Sequence, residues 1–230
     1  MKTYLHRLPI LCRGNSRAIS AWLTEQRLGW FGFCAVTVFC CVGVYGATIG
    51  LWRAPLMGVY VAIKMPLLIF LTTLCNAVLN WMLAHVIGAR FTFRESLLAQ
   101  LMGFTVASMI LAAVAPITLF ILFNTPPLST GDPFGHRFFL LINVGVLALA
   151  GVVANVRLYH FVRLRTPTQA IARQVLSAWI LGNLLVGAQL SWNMRPFIGT
   201  PALEVQFLRP NPFEGNFYET VYWAAMQVFD

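Results

Sequence analysis

Charge is what this chain has least of. Asp, Glu, Lys and Arg supply 10% of its 230 residues, far below the roughly 25% of an average soluble domain. Acid is the scarcer sign, with 7 Asp and Glu against 16 Lys and Arg. So few charges cannot solvate the surface of a large soluble core, and the length left over holds no separate soluble domain of ordinary size. Motifs that carry chemistry are missing as well. The patterns HExxH, GxSxG and GxxxxGK(S/T) do not occur, and each would set a base, a nucleophile or a cradle of amides where its reaction needs one. The 5 cysteines, Cys12, Cys34, Cys40, Cys41 and Cys75, include no pair at CxxC spacing. That favours packing over metal binding or disulfides. His85 and His160 fall near the ends of apolar runs, but no surrounding pattern makes them haem ligands. Nothing local pairs Ser108 or Ser177 with either histidine as nucleophile and base. No catalytic residue, metal or cofactor is expected.

What the chain has in quantity is apolar sequence, 59% of all residues. It is organised in five runs free of Asp, Glu, Lys and Arg: Leu28 to Trp52, Met65 to Ala89, Ser96 to Gly131, Phe138 to Val156 and Gln174 to Met194. They hold 25, 25, 36, 19 and 21 residues, and a helix needs roughly 20 to cross a bilayer core. The expected fold is all-α, a polytopic helical membrane protein with five transmembrane helices. Residues 1–27 form a cytoplasmic N-terminal segment, 28–194 the membrane domain, and 195–230 an extracytoplasmic loop and interfacial helix. Within the first segment, Ile19, Trp22 and Leu23 share one helical face, which fits a short helix in the headgroup layer or else a partly ordered tail.

Basic residues orient these spans. If they alternate, one side receives Lys2, Arg7, Arg13, Arg17, Arg27, Arg90, Arg94, Arg157, Arg163, Arg165 and Arg173, and the other Arg53, Lys64, Arg137, Arg195 and Arg209. The richer side is cytoplasmic by the positive-inside rule, so the N-terminus is inside and the C-terminus outside. The formal net charge of +9 is spread along span ends rather than gathered in one patch, which argues against nucleic acid as a partner.

Within the spans, Thr73, Asn76 and Asn80 lie at helical spacing on one face of span two. Asn143, Asn155, Asn183 and Gln189 are further intramembrane amides. They are expected to hydrogen-bond between helices, at about 0.5–2 kcal/mol each; the alternative is a polar conduction path. No Asp, Glu, Lys or Arg falls inside the runs, which disfavours an ion relay. Small residues four apart occur as Gly46 with Gly50, Gly103 with Ala107, Ala150 with Ala154, and Ala178 with Gly182. Such pairs let helix backbones approach. Pro66 is expected at the start of span two, and Pro116 is expected to kink or end span three.

The tail is the most specified segment. Arg-Pro occurs twice, at Arg195-Pro196 and Arg209-Pro210, amid Phe197, Gly199, Phe207, Phe213, Glu214, Phe217 and Tyr218. Asn216 is placed to cap a last helix, with Glu219 three residues on. Arg195 and Arg209 are expected to pair with Glu204, Glu214 or Glu219. Arg195, Pro196, Phe197, Gly199, Arg209, Glu214, Asn216 and Phe217 are the candidate surface for docking a partner, the alternative being a rigid interfacial cap.

Span two, the turn Gly88-Ala89-Arg90-Phe91-Thr92-Phe93-Arg94-Glu95-Ser96-Leu97 and span three with Pro116 resemble the corresponding part of Yip1-domain membrane proteins, above all small bacterial members. The likeness covers roughly residues 30–190. It implies five spans with the N-terminus inside. Eukaryotic members are scaffolds in membrane traffic that bind small GTPases, but through a longer N-terminal region than precedes span one here, so that activity is not implied. The segment Arg195 to Gly199 resembles one found in a group of bacterial membrane proteins. Together these readings predict a non-catalytic scaffold or accessory subunit of a complex in a bacterial cytoplasmic membrane, with the lipid bilayer and protein chains as partners. The alternative is a small-solute channel or transporter lined by the span-two stripe. Five spans cannot be halved into the repeats common among transporters.

Overall fold

A computed structural model of the chain describes residues 8–13, 19, 21–22, 28–125, 133–198 and 204–219, with backbone alone for 133–137. These residues form helices and turns: α1 (Leu8–Arg13), α2 (Leu28–Leu51), α3 (Pro55–Val86), α4 (Phe93–Asn124), α5 (Pro133–Arg165) and α6 (Gln169–Asn193). Helices α2 to α6 are long and apolar enough to cross a membrane. In lipid every backbone N–H and C=O must be satisfied within the chain, and the helix does this segment by segment.

Three helix ends differ from the charge-free runs. Helix α3 begins at Pro55, where a missing N–H costs little and Ala54 is extended, ten residues before the expected start. Lys64 and Pro66 therefore lie inside it and are buried. Helix α4 continues through Pro116 to Asn124. The expected connection from Arg157 to Arg173 is mostly helix, and α5 and α6 are joined by only Thr166 to Thr168. Thr168 caps α6 by accepting from Ile171 N at 3.2 Å. Thr92 and Glu95 close a capping box at the start of α4. Glu95 also accepts from Arg165 at 2.8 Å, tying the first turn of α4 to the last of α5.

The spans close into a ring in the order α2, α3, α6, α5, α4, with α3 also touching α4. One end, here the basic end, brings together α1, the α3–α4 turn and the α5–α6 turn. Its core packs Trp30, Phe91, Leu98, Phe161 and Trp179, with Leu11, Ile19 and Trp22 from the N-terminal segment. Ile19 and Trp22 thus face protein, Trp22 stacking on Trp30 at 4.6 Å; Leu23 lies outside the described residues. The opposite, tail end packs Val42, Tyr45, Met57, Val61 and Phe139, joined by Phe197, Ile198 and Val205 of the C-terminal segment. On α3 the two cores are separated by the buried polar residues Thr72, Thr73, Asn76 and Asn80.

The tightest contact is between α2 and α3. A Cβ at Gly46 would stand 2.7 Å from Val61 O, and one at Gly50 would collide with Met57 O and lie 2.8 Å from Gly58 Cα. Because backbone cannot yield as a side-chain tip can, Gly46→Leu and Gly50→Leu should each cost about 1–3 kcal/mol, several degrees of melting temperature. Gly145→Leu, where an added Cβ meets nothing within 4 Å, should change stability by less than about 0.5 kcal/mol. Thermal unfolding in detergent, followed by circular dichroism, separates these outcomes; equal melting of all three variants would mean the α2–α3 contact is loose.

Candidate functional site

Lys64 sits nine residues into α3, about 14 Å along the helix at 1.5 Å per residue, and is fully buried. It is an intramembrane cation that the charge-free runs had assigned to a connection. Its Nζ donates to Pro196 O at 2.8 Å. The same atom lies 5.0 Å from the ring centre of Phe207 and 5.8 Å from that of Phe197. Tyr60, one turn earlier, meets Phe207 edge to face at 5.4 Å. No described carboxylate is in ion-pair reach, so a carbonyl and aromatic faces provide the compensation a buried ammonium requires.

The C-terminal segment is held down along the end of α6. Arg195 stacks 3.8 Å above the Trp192 ring and donates to Trp192 O at 2.9 Å and Glu214 O at 3.3 Å. Burial, then the Arg209 charge, pull the Arg195 guanidinium below its ordinary range, and Glu214 partly offsets this. The backbone N of Phe217 donates to Gln189 Oε1 at 3.1 Å, and Tyr218 OH donates to Leu185 O. Gly215, at φ +71°, turns the chain where a side chain would be strained. Asn216 accepts from Glu219 N at 2.7 Å; the remainder of the expected final helix lies outside the described residues.

Several expectations for this segment change. Arg195 reaches the carbonyl of Glu214, not its carboxylate, which is taken by Asn211 Nδ2 at 2.9 Å. Arg209 makes no ion pair with a described acid, and its Nε is buried without a partner. Pro196, Phe197, Arg195, Glu214 and Phe217 all engage the chain's own bundle, and Gly199 lies outside the described residues. Phe213, 82% exposed, faces outward, as do the exposed Leu208, Glu214 and Tyr218.

A second polar site runs between α3 and α6. Asn76 and Asn80 are fully buried, and none of their amide atoms has a hydrogen-bond partner. A Cβ on Gly182 would stand 3.2 Å from Asn76 Oδ1 and 3.5 Å from Asn80 Oδ1, and one on Gly187 would stand 3.7 Å from Thr72. Trp179 donates to the Asn80 backbone carbonyl at 2.8 Å. Asn183 Oδ1 and the Gln100 amide on α4 are buried and unpartnered as well.

Most intramembrane polar groups turn to their own helix instead of bridging helices. Thr73 donates to Ile69 O, Asn155 to Gly151 O, and Ser108 to Thr105 O. Asn143 bridges helices, accepting from Tyr45 OH at 2.8 Å while donating to Phe139 O. Tyr45 was not singled out in the sequence. Among the small residues, Ala150 and Ala154 are buried and Ala107 and Ala178 half-buried. Gly103 has open space beside it and is not a helix contact. His85 Nδ1 lies 3.2 Å from Trp81 O on its own helix. Among the described residues no three His, Cys, Asp or Glu side chains group to hold a metal.

No known family, curated protein or solved structure matches the chain.

Lys64→Met keeps the apolar stem and removes Nζ, leaving Pro196 O without its donor. Loss of this bond should release the tail, speeding chymotrypsin cleavage beside Phe207 about tenfold. Unchanged cleavage would show that the aromatic packing alone holds the segment.

Proposed function

We propose that the protein is a non-catalytic accessory subunit or scaffold of a membrane complex, and that a neighbouring chain covers the outer half of α6. One observation supports this above others. Helix α6 is the least apolar of the five spans, yet only 11% of its span is buried, against 44% for α2. Its outer half presents Leu181, Leu184 and Leu185 exposed beside the partly exposed Asn183, whose Oδ1 has no partner among the described residues, while Gln189 is already paired with Phe217 N and Asn193. An amide facing hydrocarbon is costly, and a partner helix with its own polar groups would meet it. The distribution of basic residues supports an N-terminus inside and a C-terminus outside and gives no dense patch for nucleic acid; residence in a bacterial cytoplasmic membrane rests on the resemblance to small bacterial Yip1-domain proteins alone.

A second reading, a small-solute path, is favoured by the unpartnered amides of Asn76 and Asn80, which also have Thr73 on their face.

The test is a photoreactive residue at Leu184 in the native membrane. It should give one discrete adduct with another polypeptide, while the same group at Val59, 56% exposed on α3, gives none. Asn76→Leu with Asn80→Leu should leave that adduct intact, since apolar groups replacing unpaired amides cost little. Absence of a polypeptide adduct, together with solute flux into liposomes that the double variant abolishes, would replace the first reading by the second. For orientation, cysteines at Arg163 and Asn211 in a Cys-free background should react with an impermeant reagent from opposite sides, Asn211 from outside.

A further inference from the structure

Near the basic end, α4 and α5 part to leave a shallow cleft that is open along one side. Met102, Val106, Ala154 and Leu158 form its walls, and Leu11 and Ile19 of the N-terminal segment close one side. Gly103 also lines it, and an added Cβ there meets nothing within 4 Å, so the helix wall is open at this point. The one charged group on the lining is Arg157. Its Nε is buried and has no hydrogen-bond partner, and it forms no ion pair with a described acid. The described acid of this end, Glu95, is already held by Arg165 at 2.8 Å. Arg157 lies eight residues before the end of α5, about 12 Å along the axis, a depth at which an arginine can meet lipid headgroups while its stem stays among apolar side chains. Burial raises the Cys12 thiol and the Arg157 charge partly offsets it, which puts the guanidinium beside α1 at the mouth of the cleft.

Apolar walls with a single unpaired cation at the mouth fit an anionic amphiphile. A free anion has no use for the walls, and an apolar helix would bury the cation without compensation. We infer that this cleft binds one acyl chain of an anionic phospholipid, with the lipid phosphate on Arg157. The exposed Arg94 and Arg163 nearby add to the preference for net negative headgroups over zwitterionic ones.

Native mass spectrometry of the full-length protein in detergent tests this, using phosphatidylglycerol and phosphatidylcholine with identical chains. The protein should retain phosphatidylglycerol about tenfold better, the worth of one charge-assisted contact. Arg157→Gln should abolish that preference and Arg157→Lys should keep most of it. Gly103→Leu, which fills the open wall, should lower retention of both lipids without lowering the melting temperature. Inorganic phosphate at matching concentration should not compete. Equal retention of the two lipids by the unaltered protein, an unchanged preference in Arg157→Gln, or competition by phosphate alone would each overturn the assignment. Should Gly103→Leu fail to fold, the contrast between the Gln and Lys variants at Arg157 still decides it.

Discussion

Two glycines on α2 set the geometry from which the rest follows. In a bilayer, burying apolar side chains against each other gains little, because lipid tails are equally apolar, so helices associate where their backbones come close. Gly46 and Gly50 let α2 lie against the backbone of α3 at Val61 and Met57. That contact fixes the rotation of α3. Lys64, seven residues after Met57, shares the same inward face, and Thr72, Asn76 and Asn80, at intervals of four, are turned toward Gly182 and Gly187 of α6. A buried lysine and an amide seam are thus two results of one close approach.

The two polar sites are handled differently. Lys64 is surrounded by Pro196 O and the rings of Phe197 and Phe207, all from a segment beyond the last span, and so is sealed from lipid by the chain's own tail. The Asn76 and Asn80 amides have no such cover. Their neighbours are glycines, which present no hydrogen-bonding side chain, and the orphaned groups carry the full cost of desolvation. Stability alone would favour leucine at both positions. Retaining amides there is a cost that a polar solute would offset, which is why this seam bears on the solute-path reading.

The number of spans was legible because twenty apolar residues in a row have few other fates. Helix ends were less so. A run counted by absence of charge stops at Lys64, although Leu56 to Ile63 before it is wholly uncharged and Pro55 just ahead is a good first helical residue. One lysine inside a span cannot be told from one beside it without knowing what arrives to compensate it, and Pro196 lies 132 residues away. Likewise Gly46 and Gly103 look alike in sequence, each with a small residue four positions on. Spacing marks where a close approach is permitted, and only the packing decides whether a backbone is there. The polar spans misled for a local reason, since Thr and Asn on a helix can reach the carbonyl four residues back, as Thr73, Asn143 and Asn155 do. The bond between Tyr45 and Asn143 depends on α2 and α5 both reaching the tail-end core, and no local pattern announces it.

The distance in sequence between Lys64 and Pro196 also imposes an order of events during synthesis. Lys64 enters the membrane with the second span, but the carbonyl that receives it is made only after the fifth. At about 5–20 residues per second of translation, the interval is on the order of ten seconds. During it the lysine must reach toward the headgroups or be sheltered by the insertion machinery. The tail-end core therefore closes last, as the final step of biogenesis, and a chain stalled or truncated before residue 196 would leave a cation unsealed among lipids, a state that membrane quality control could recognise.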